Sequence, residues 1–337
     1  MKNRTPDRKL GATDMTVSPL GVGTWAIGGP FFSGAGCRYP TGAPLGYGDV
    51  DDDESIRAIH CAVDQGIMLF DTADAYGTGH AERILGKALG TRRKEVLVAT
   101  KFGNTYDEQS RELIGADVTP AYIRQACLES LQRLETDWID LYQLHVGSLP
   151  IEEAQSVAET LEDLCNEGLI RYYGWSTDDP ARGRAFADRP RAVALQFDMN
   201  VLQDAPAMLD VCREHHVTAI SRLPLAMGFL SGKFTPTSRL AANDIRSQPP
   251  DWLKCFQAGG RASKDWLSRL ASVREILTSD GRTLVQGALA WIWARDERTV
   301  PIPGVRTAAQ VEENAGAMAF GPLSQESLVE IDRVLQR

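Results

Sequence analysis

Met68-Leu69-Phe70-Asp71-Thr72-Ala73-Asp74-Ala75-Tyr76-Gly77 is the stretch on which the fold turns: a short apolar run breaks into a polar turn holding a carboxylate and then a phenol. Two further runs end in the same manner. Val96-Leu97-Val98-Ala99-Thr100 is closed by Lys101, and Ile139-Asp140-Leu141-Tyr142-Gln143-Leu144 is closed by His145. In α/β proteins the loops that follow the strands share one face, so residues far apart in sequence converge there. Asp71, Tyr76, Lys101 and His145 are therefore expected to form one site.

Those four residue types together suit proton transfer to a carbonyl. A phenol has a reference pKa of about 10, too high for easy donation and return near neutrality unless a nearby cation lowers it. Lys101 is the candidate cation, Asp71 its counter-charge, and His145 a hydrogen-bond partner that orients the carbonyl oxygen. Taken singly, each has a plainer reading. Asp71 would cap a turn, Tyr76 would anchor a loop, Lys101 would be ion-paired, and His145 would be structural. The combination, in this order, favours chemistry.

Outward from these runs, strands alternate with helices. Strands are expected near Leu20 to Gly23, Met68 to Phe70, Glu95 to Thr100, Trp138 to Leu144, Ile170 to Gly174, Ala192 to Gln196, Val217 to Ser221 and Thr299 to Ile302. Helices are expected near Asp53 to Gln65, His80 to Leu89, Pro120 to Leu134, Glu152 to Glu167, Ala181 to Ala187 and Pro206 to Glu214, with a last one near Ser324 to Leu335. Eight strands in βα order, with no GxGxxG turn after the first, point to a closed parallel barrel and not an open doubly wound sheet. The fold class is thus α/β, a (β/α)8 barrel over residues 1–337 as a single domain, preceded by an N-terminal hairpin turning at Gly11 to Asp14. Two stretches interrupt the alternation. Pro30 to Asp49, rich in Gly, Pro and aromatics, is expected as a pocket wall or lid. Gly232 to Gly260, which carries Pro236, Pro249 and Pro250, reads as an irregular loop, either closing over a ligand or lying free on the surface.

The chain has 337 residues, 43% hydrophobic and 24% charged, which suits one large barrel with ample core. Its 36 basic and 45 acidic residues give a net charge of −9 and no long basic run, which disfavours nucleic acid as a partner. No apolar run approaches the roughly 18 residues of a membrane helix, and the charged start lacks a signal core, so no membrane partner and a cytoplasmic location are expected. The six cysteines are scattered without metal-ligand spacing and read as reduced thiols, several on helices. No metal is expected.

The segments FDTADAYG, ATKFG, LYQLH and IPGVRTAAQVEEN, in that order, resemble the aldo-keto reductases, over about Leu10 to Leu335. The resemblance implies that Tyr76 is the general acid/base, completed by Asp71, Lys101 and His145. Read from its residues alone, Ile302 to Asn314 leads from a strand through a Pro-Gly turn into a helix start. That is either an ordinary connection or an anion site made of helix amides and Arg306. The resemblance implies that Gly304, Arg306, Gln310, Glu313 and Asn314 meet an adenosine 2′-phosphate and adenine, so that NADP(H) is favoured over NAD(H). It also implies that Leu223, Pro224, Leu225, Gly228 and Lys233 wrap the nicotinamide ribose and pyrophosphate. Ser176, Gln196 and Asn200 match positions around the carboxamide; Thr24 and Trp25 follow the first strand, and Asp71 belongs to both sets.

Three positions depart from the family pattern. Arg222 stands where many relatives carry an aromatic ring that stacks on the nicotinamide, and Thr177 where many have Asn or Arg. After His145 the chain reads Val-Gly-Ser. The implied function is reduction of an aldehyde or ketone, or oxidation of the corresponding alcohol, by hydride transfer from NADPH. The pocket between Trp25 and Tyr47 suggests a medium-sized, partly apolar or sugar-like substrate. Two other classes fit parts of the pattern: an NADP(H)-binding accessory subunit with little turnover, and a Schiff-base enzyme of aldolase type with Lys101 as nucleophile. The oligomeric state is not legible.

Overall fold

The structure, a computed structural model, describes residues 5–337. Eight parallel strands pair in chain order. They are β1 (Gly21–Gly23), β2 (Leu69–Asp71), β3 (Leu97–Phe102), β4 (Ile139–Leu144), β5 (Ile170–Ser176), β6 (Ala192–Asp198), β7 (Thr218–Arg222) and β8 (Thr299–Pro301). Gly23 closes the ring against the segment after β8: it bridges Gly304, and its amide donates to the Pro303 carbonyl at 3.0 Å. The expected (β/α)8 barrel is therefore present.

Helices α1 (Asp52–Asp64), α2 (His80–Leu89), α3 (Pro120–Arg133), α4 (Ile151–Asn166), α5 (Pro180–Ala187) and α6 (Pro206–His215) follow the first six connections close to their expected bounds. Local chemistry starts several of them. Asp51 caps α1 by accepting from the Glu54 amide, and Thr119 caps α3 ahead of Pro120. Among the described residues no helix is long and apolar enough to cross a membrane.

The sequence reading passed over two helices, α7 (Lys264–Leu277) and α8 (Leu284–Arg295). α8 is apolar on nearly every face and almost wholly buried, so it shows no polar stripe from which a helical period is read. It presses on the end of α7 so closely that a Cβ at Gly287 would lie 1.9 Å from the Leu277 carbonyl oxygen. α9 (Ala308–Gly316) and α10 (Gln325–Leu335) complete the chain.

The inside of the barrel is apolar at one end and polar at the other. Leu69, Leu97, Ala99, Leu141, Val193, Ile220 and Val300 pack together inside the ring, and Leu10 and Val17 of the N-terminal hairpin plug it from below. Side chains alternate along a strand, so the next inward layer, at the strand C-termini, holds Asp71, Lys101, Gln143 and Gln196, all buried.

The two interrupting stretches meet over this end. Residues 32–33 pair with a hairpin, Asn104–Asp107 and Glu112–Ala116, that was not expected from the sequence. Farther along, Tyr47 bridges Asp244, the Ile245 amide donates to the Gly46 carbonyl at 2.8 Å, and Asn243 Nδ2 donates to Asp49 Oδ1 at 3.1 Å. The stretch from 232 to 260 is therefore tied to the catalytic-face loop and does not lie free.

A buried ion pair fixes α2 and α3 beneath the Tyr76 turn. Arg133 Nε donates to Glu82 Oε2 at 2.7 Å, and Thr100 Oγ1 of β3 donates to Glu82 Oε1 at 2.5 Å. Arg133→Met would leave the Glu82 carboxylate buried without a counter-charge, a loss of about 3–5 kcal/mol. Urea denaturation of the variant checks this; a loss below about 1 kcal/mol would show that the pair does not brace the barrel.

Candidate active site

Four strand ends deliver the polar layer. Register places Asp71 beside Ala99, Lys101 beside Gln143 and Gln196 beside Ser176. Lys101 Nζ donates to Asp71 Oδ1 at 2.5 Å, to the Thr72 carbonyl at 2.8 Å and to Tyr76 Oη at 3.1 Å. The side chains of Gln143 and Gln196 donate to Asp71 Oδ2 at 3.2 and 2.7 Å. The Asp71 carboxylate is thus spent on the lysine and two amides, not on capping a turn.

Tyr76 arrives on a tight turn. Gly77 adopts φ +61°, and a Cβ there would lie 1.8 Å from the Gly28 carbonyl oxygen, so only glycine lets the turn pack this closely. Trp25 stacks on the Tyr76 ring at 5.8 Å and meets Tyr47 edge-on at 5.2 Å, while its indole N–H donates to the Leu45 carbonyl. His145 lies edge-on to Tyr76 with ring centroids 5.7 Å apart. The four predicted residues are brought together.

Their electrostatics follow from burial. Burial alone would lower the Lys101 pKa, but Asp71 and Tyr76 outweigh it and raise the ammonium above its usual value. A lysine held charged is no Schiff-base nucleophile. For Tyr76 burial prevails: it pushes the phenol above its ordinary pKa despite the opposing pull of Lys101, the reverse of the expected lowering. Burial, reinforced by the positive charges of Lys101, Arg222 and Arg38, holds His145 well below the usual imidazole range. Its Nδ1 is buried without a hydrogen-bond partner.

Arg222 does not stack freely. Its Nε donates to Asp198 Oδ1 at 2.5 Å, its Nη1 to Ser176 Oγ at 2.9 Å, and its Nη2 pairs with Asp178. The other residues expected at the cofactor are placed as follows. Thr24 Oγ1 donates to the Asp71 carbonyl, and Thr177 Oγ1 donates to the Gly147 carbonyl. Gln196 faces Asp71, and Asn200 donates to the Leu223 carbonyl. Leu223, Ala226 and Met227 hold positive φ angles of 50°, 46° and 54° ahead of Gly228, a strained stretch that includes Pro224 and Leu225.

At the other end of the face, Arg306 donates to the backbone carbonyls of Tyr47 and Asp49. Its own amide donates to Gln310 Oε1 at 2.8 Å, and the Ala308 amide donates to Glu54 Oε1 at 3.2 Å, so the α9 terminus is partly satisfied from within. Gly304 lies where β1 and β8 close, and Asn314 is buried in α9, with Glu313 beside it. Burial, and then the crowding of Arg246 and Arg306, lowers the pKa of Lys233. Arg246 is neutralised by Asp244. Lys233 and Arg306 have no carboxylate partner among the described residues, and two uncompensated cations in one place suit a phosphate group.

Sequence reasoning missed Gln143. Leu141 and Gln143 alternate along β4, with His145 just past its end, and Leu141 lines the barrel interior, so a strict period of two would have placed Gln143 inside. The carboxylates of Asp178 and Asp198 were also missed, because nothing local links them to Arg222.

A model of the Aldo/keto reductase family matches residues 19–336. The probable aldo-keto reductase 1 of Glycine max is 32% identical over 96% of this chain and 87% of its own length. The aldo-keto reductase yakc [NADP(+)] of Schizosaccharomyces pombe is 31% identical over 88% of this chain and 86% of its own. Among solved structures, the glycerol dehydrogenase AKR11B4 from Gluconobacter oxydans superposes with a TM-score of 0.79 at 28% identity, covering 99% of this chain and 96% of that one.

Because the folded state disfavours a proton on His145, the unfolded chain binds more protons as pH falls through the ordinary histidine range near 6.5, and stability is lost there. Denaturant unfolding at pH 7 and pH 5 is expected to show a smaller loss in His145→Gln than in the parent. An equal loss in both would place the histidine in a more hydrated setting.

Proposed function

The chain belongs to the aldo/keto reductase family, and from that premise we propose that it is an NADPH-dependent reductase of aldehydes or ketones, which also oxidises the corresponding alcohols. The observation that carries this reading is the Lys101 ammonium, which joins the Asp71 carboxylate at 2.5 Å to the Tyr76 phenol at 3.1 Å.

The roles follow from charge. Tyr76, pushed up by burial, keeps its proton at neutral pH and donates it to the carbonyl oxygen as negative charge develops there. The phenolate so formed is met by Lys101, already in contact and already charged. Asp71 keeps that charge in place, and Gln143 and Gln196 hold Asp71. Neutral His145 has one N–H to offer. Placing it on Nε2 leaves the buried Nδ1 as a bare acceptor, so Nε2 donates to the same carbonyl oxygen and orients it. Trp25, stacked on Tyr76, keeps water from the phenol on one side.

The fission-yeast relative is named for NADP(+), and this chain's residues suit the same dinucleotide. Arg306 and Lys233 offer uncompensated positive charge for phosphate, and Arg222, whose Nη1 donates to Ser176 Oγ, bears on the Tyr76 phenol. When bound, the reduced nicotinamide supplies the hydride that goes to the carbonyl carbon.

Tyr76→Phe is expected to lower carbonyl turnover by about 10²–10⁴-fold while NADPH, titrated by its fluorescence, binds with little change; undiminished turnover would remove Tyr76 from the acid role. NADPH binding by the parent without oxidation by any of a panel of aldehydes, ketones and sugars would overturn the reductase reading. Arg306→Gln is expected to weaken NADPH at least about tenfold and NADH much less. Equal weakening of both would assign Arg306 to the loop it clasps and not to the 2′-phosphate.

A further inference from the structure

Asp71 and Lys101 are buried together, and in a dry interior such a pair has two ways to hold its proton. Either the lysine keeps it and both groups are charged, or it passes to the carboxylate and both are neutral. Only the first leaves a cation against the Tyr76 hydroxyl, 3.1 Å away. The balance depends on what else the carboxylate receives, because hydrogen bonds to the charged form favour that form. Two neutral amides supply them, Gln143 Nε2 at 3.2 Å and Gln196 Nε2 at 2.7 Å, both on Asp71 Oδ2.

Gln143 is the pivot of the two. It is the register neighbour of Lys101, so β3 and β4 set the cation and this donor side by side. Its Oε1 accepts from Gln196 Nε2 at 3.4 Å, so one side chain both bonds Asp71 and aligns the second donor. Their meeting needs an empty place between β4 and β6. There β5 puts Gly174, paired with Gln143 on one side and Ala194 on the other. A Cβ at Gly174 would lie 2.5 Å from the Ala194 carbonyl oxygen, so no side chain enters the gap.

We propose that Gln143 is a positioning residue for the proton transfer: by occupying Asp71 it leaves the Lys101 ammonium to Tyr76, and so sets the pH at which the phenol ionises. This rests on the reductase reading above. In carbonyl reduction the phenol gives its proton to the oxygen, and in alcohol oxidation the phenolate takes the hydroxyl proton back, so the same ionisation bounds both directions. Tyr76 is faced by Asp71 of β2, Lys101 of β3, His145 past β4, Arg222 of β7, Tyr47 of the insertion and, in its own turn, Asp74. Among the described residues only Lys101 bonds its hydroxyl. A change in how the ammonium is shared therefore reaches the phenol directly.

The tyrosinate absorbance of the parent, less that of Tyr76→Phe, followed against pH, reads the Tyr76 titration without any substrate. Gln143→Met, similar in length but without a donor, is expected to move it upward by about half a unit, a threefold change in the ionisation constant. Gln143→Glu, which sets a second carboxyl beside Asp71, is expected to move it further the same way. Turnover at neutral pH is expected to fall about three- to tenfold in Gln143→Met through kcat, with KM and NADPH binding by fluorescence within about twofold; retained binding shows that the fold stands. A Tyr76 titration unmoved in both variants overturns the inference, whatever happens to the rate, and leaves the reductase reading standing. A parent that turns over no member of the carbonyl panel fails the reductase reading itself, while the titration decides the link from Gln143 to Tyr76 on its own.

Discussion

The Lys101 ammonium has no exposed surface, and a buried cation without compensation is among the least favourable arrangements a protein interior can hold. The upper layer of the barrel is arranged around that constraint. Three donors on the ammonium meet the Asp71 carboxylate, the Thr72 carbonyl and the Tyr76 hydroxyl. The second Asp71 oxygen is occupied by Gln143 and Gln196. β2, β3, β4 and β6 supply Asp71, Lys101, Gln143 and Gln196 from their ends, so strand register sets that part of the geometry, while Thr72 and Tyr76 are contributed by the tight turn after β2.

Burial then sets the protonation states. The same desolvation that makes Lys101 depend on Asp71 keeps the Tyr76 phenol protonated and the His145 imidazole neutral. Both groups therefore rest as hydrogen-bond donors toward a carbonyl oxygen, with the fixed positive charge one contact behind. Exclusion of water accounts for the Tyr76 and His145 states, whereas Lys101 stays charged against it because Asp71 and Tyr76 hold the ammonium.

Two insertions convert a generic barrel mouth into this protein's own. The stretch after β1 is stiffened by the hairpin after β3 and clasped by the stretch after β7. It carries Trp25 and Tyr47 toward Tyr76, together with the carbonyls that receive Arg306. On the same face, Arg222 is balanced by Asp178 and Asp198.

The residues alone were enough for the eight strands, six of the barrel helices, the N-terminal hairpin and the assembly of Asp71, Tyr76, Lys101 and His145, because these rest on short apolar runs, turn chemistry and the rule that strand-end loops share a face. α8 escaped because a helix buried on all sides has no amphipathic period. Gln143 was legible in principle from its parity with Leu141. The pairing of Arg222 with Asp178 and Asp198, the bond from Gln196 to Asp71, and the clasp between residues 43–49 and 243–246 were not legible. Each joins segments whose proximity follows from barrel closure and loop packing, and no local pattern encodes it. The sign of the Tyr76 shift was settled in the same way: sequence names the cation beside the phenol, but only the packed structure determines how much water is excluded, and that exclusion outweighs the cation.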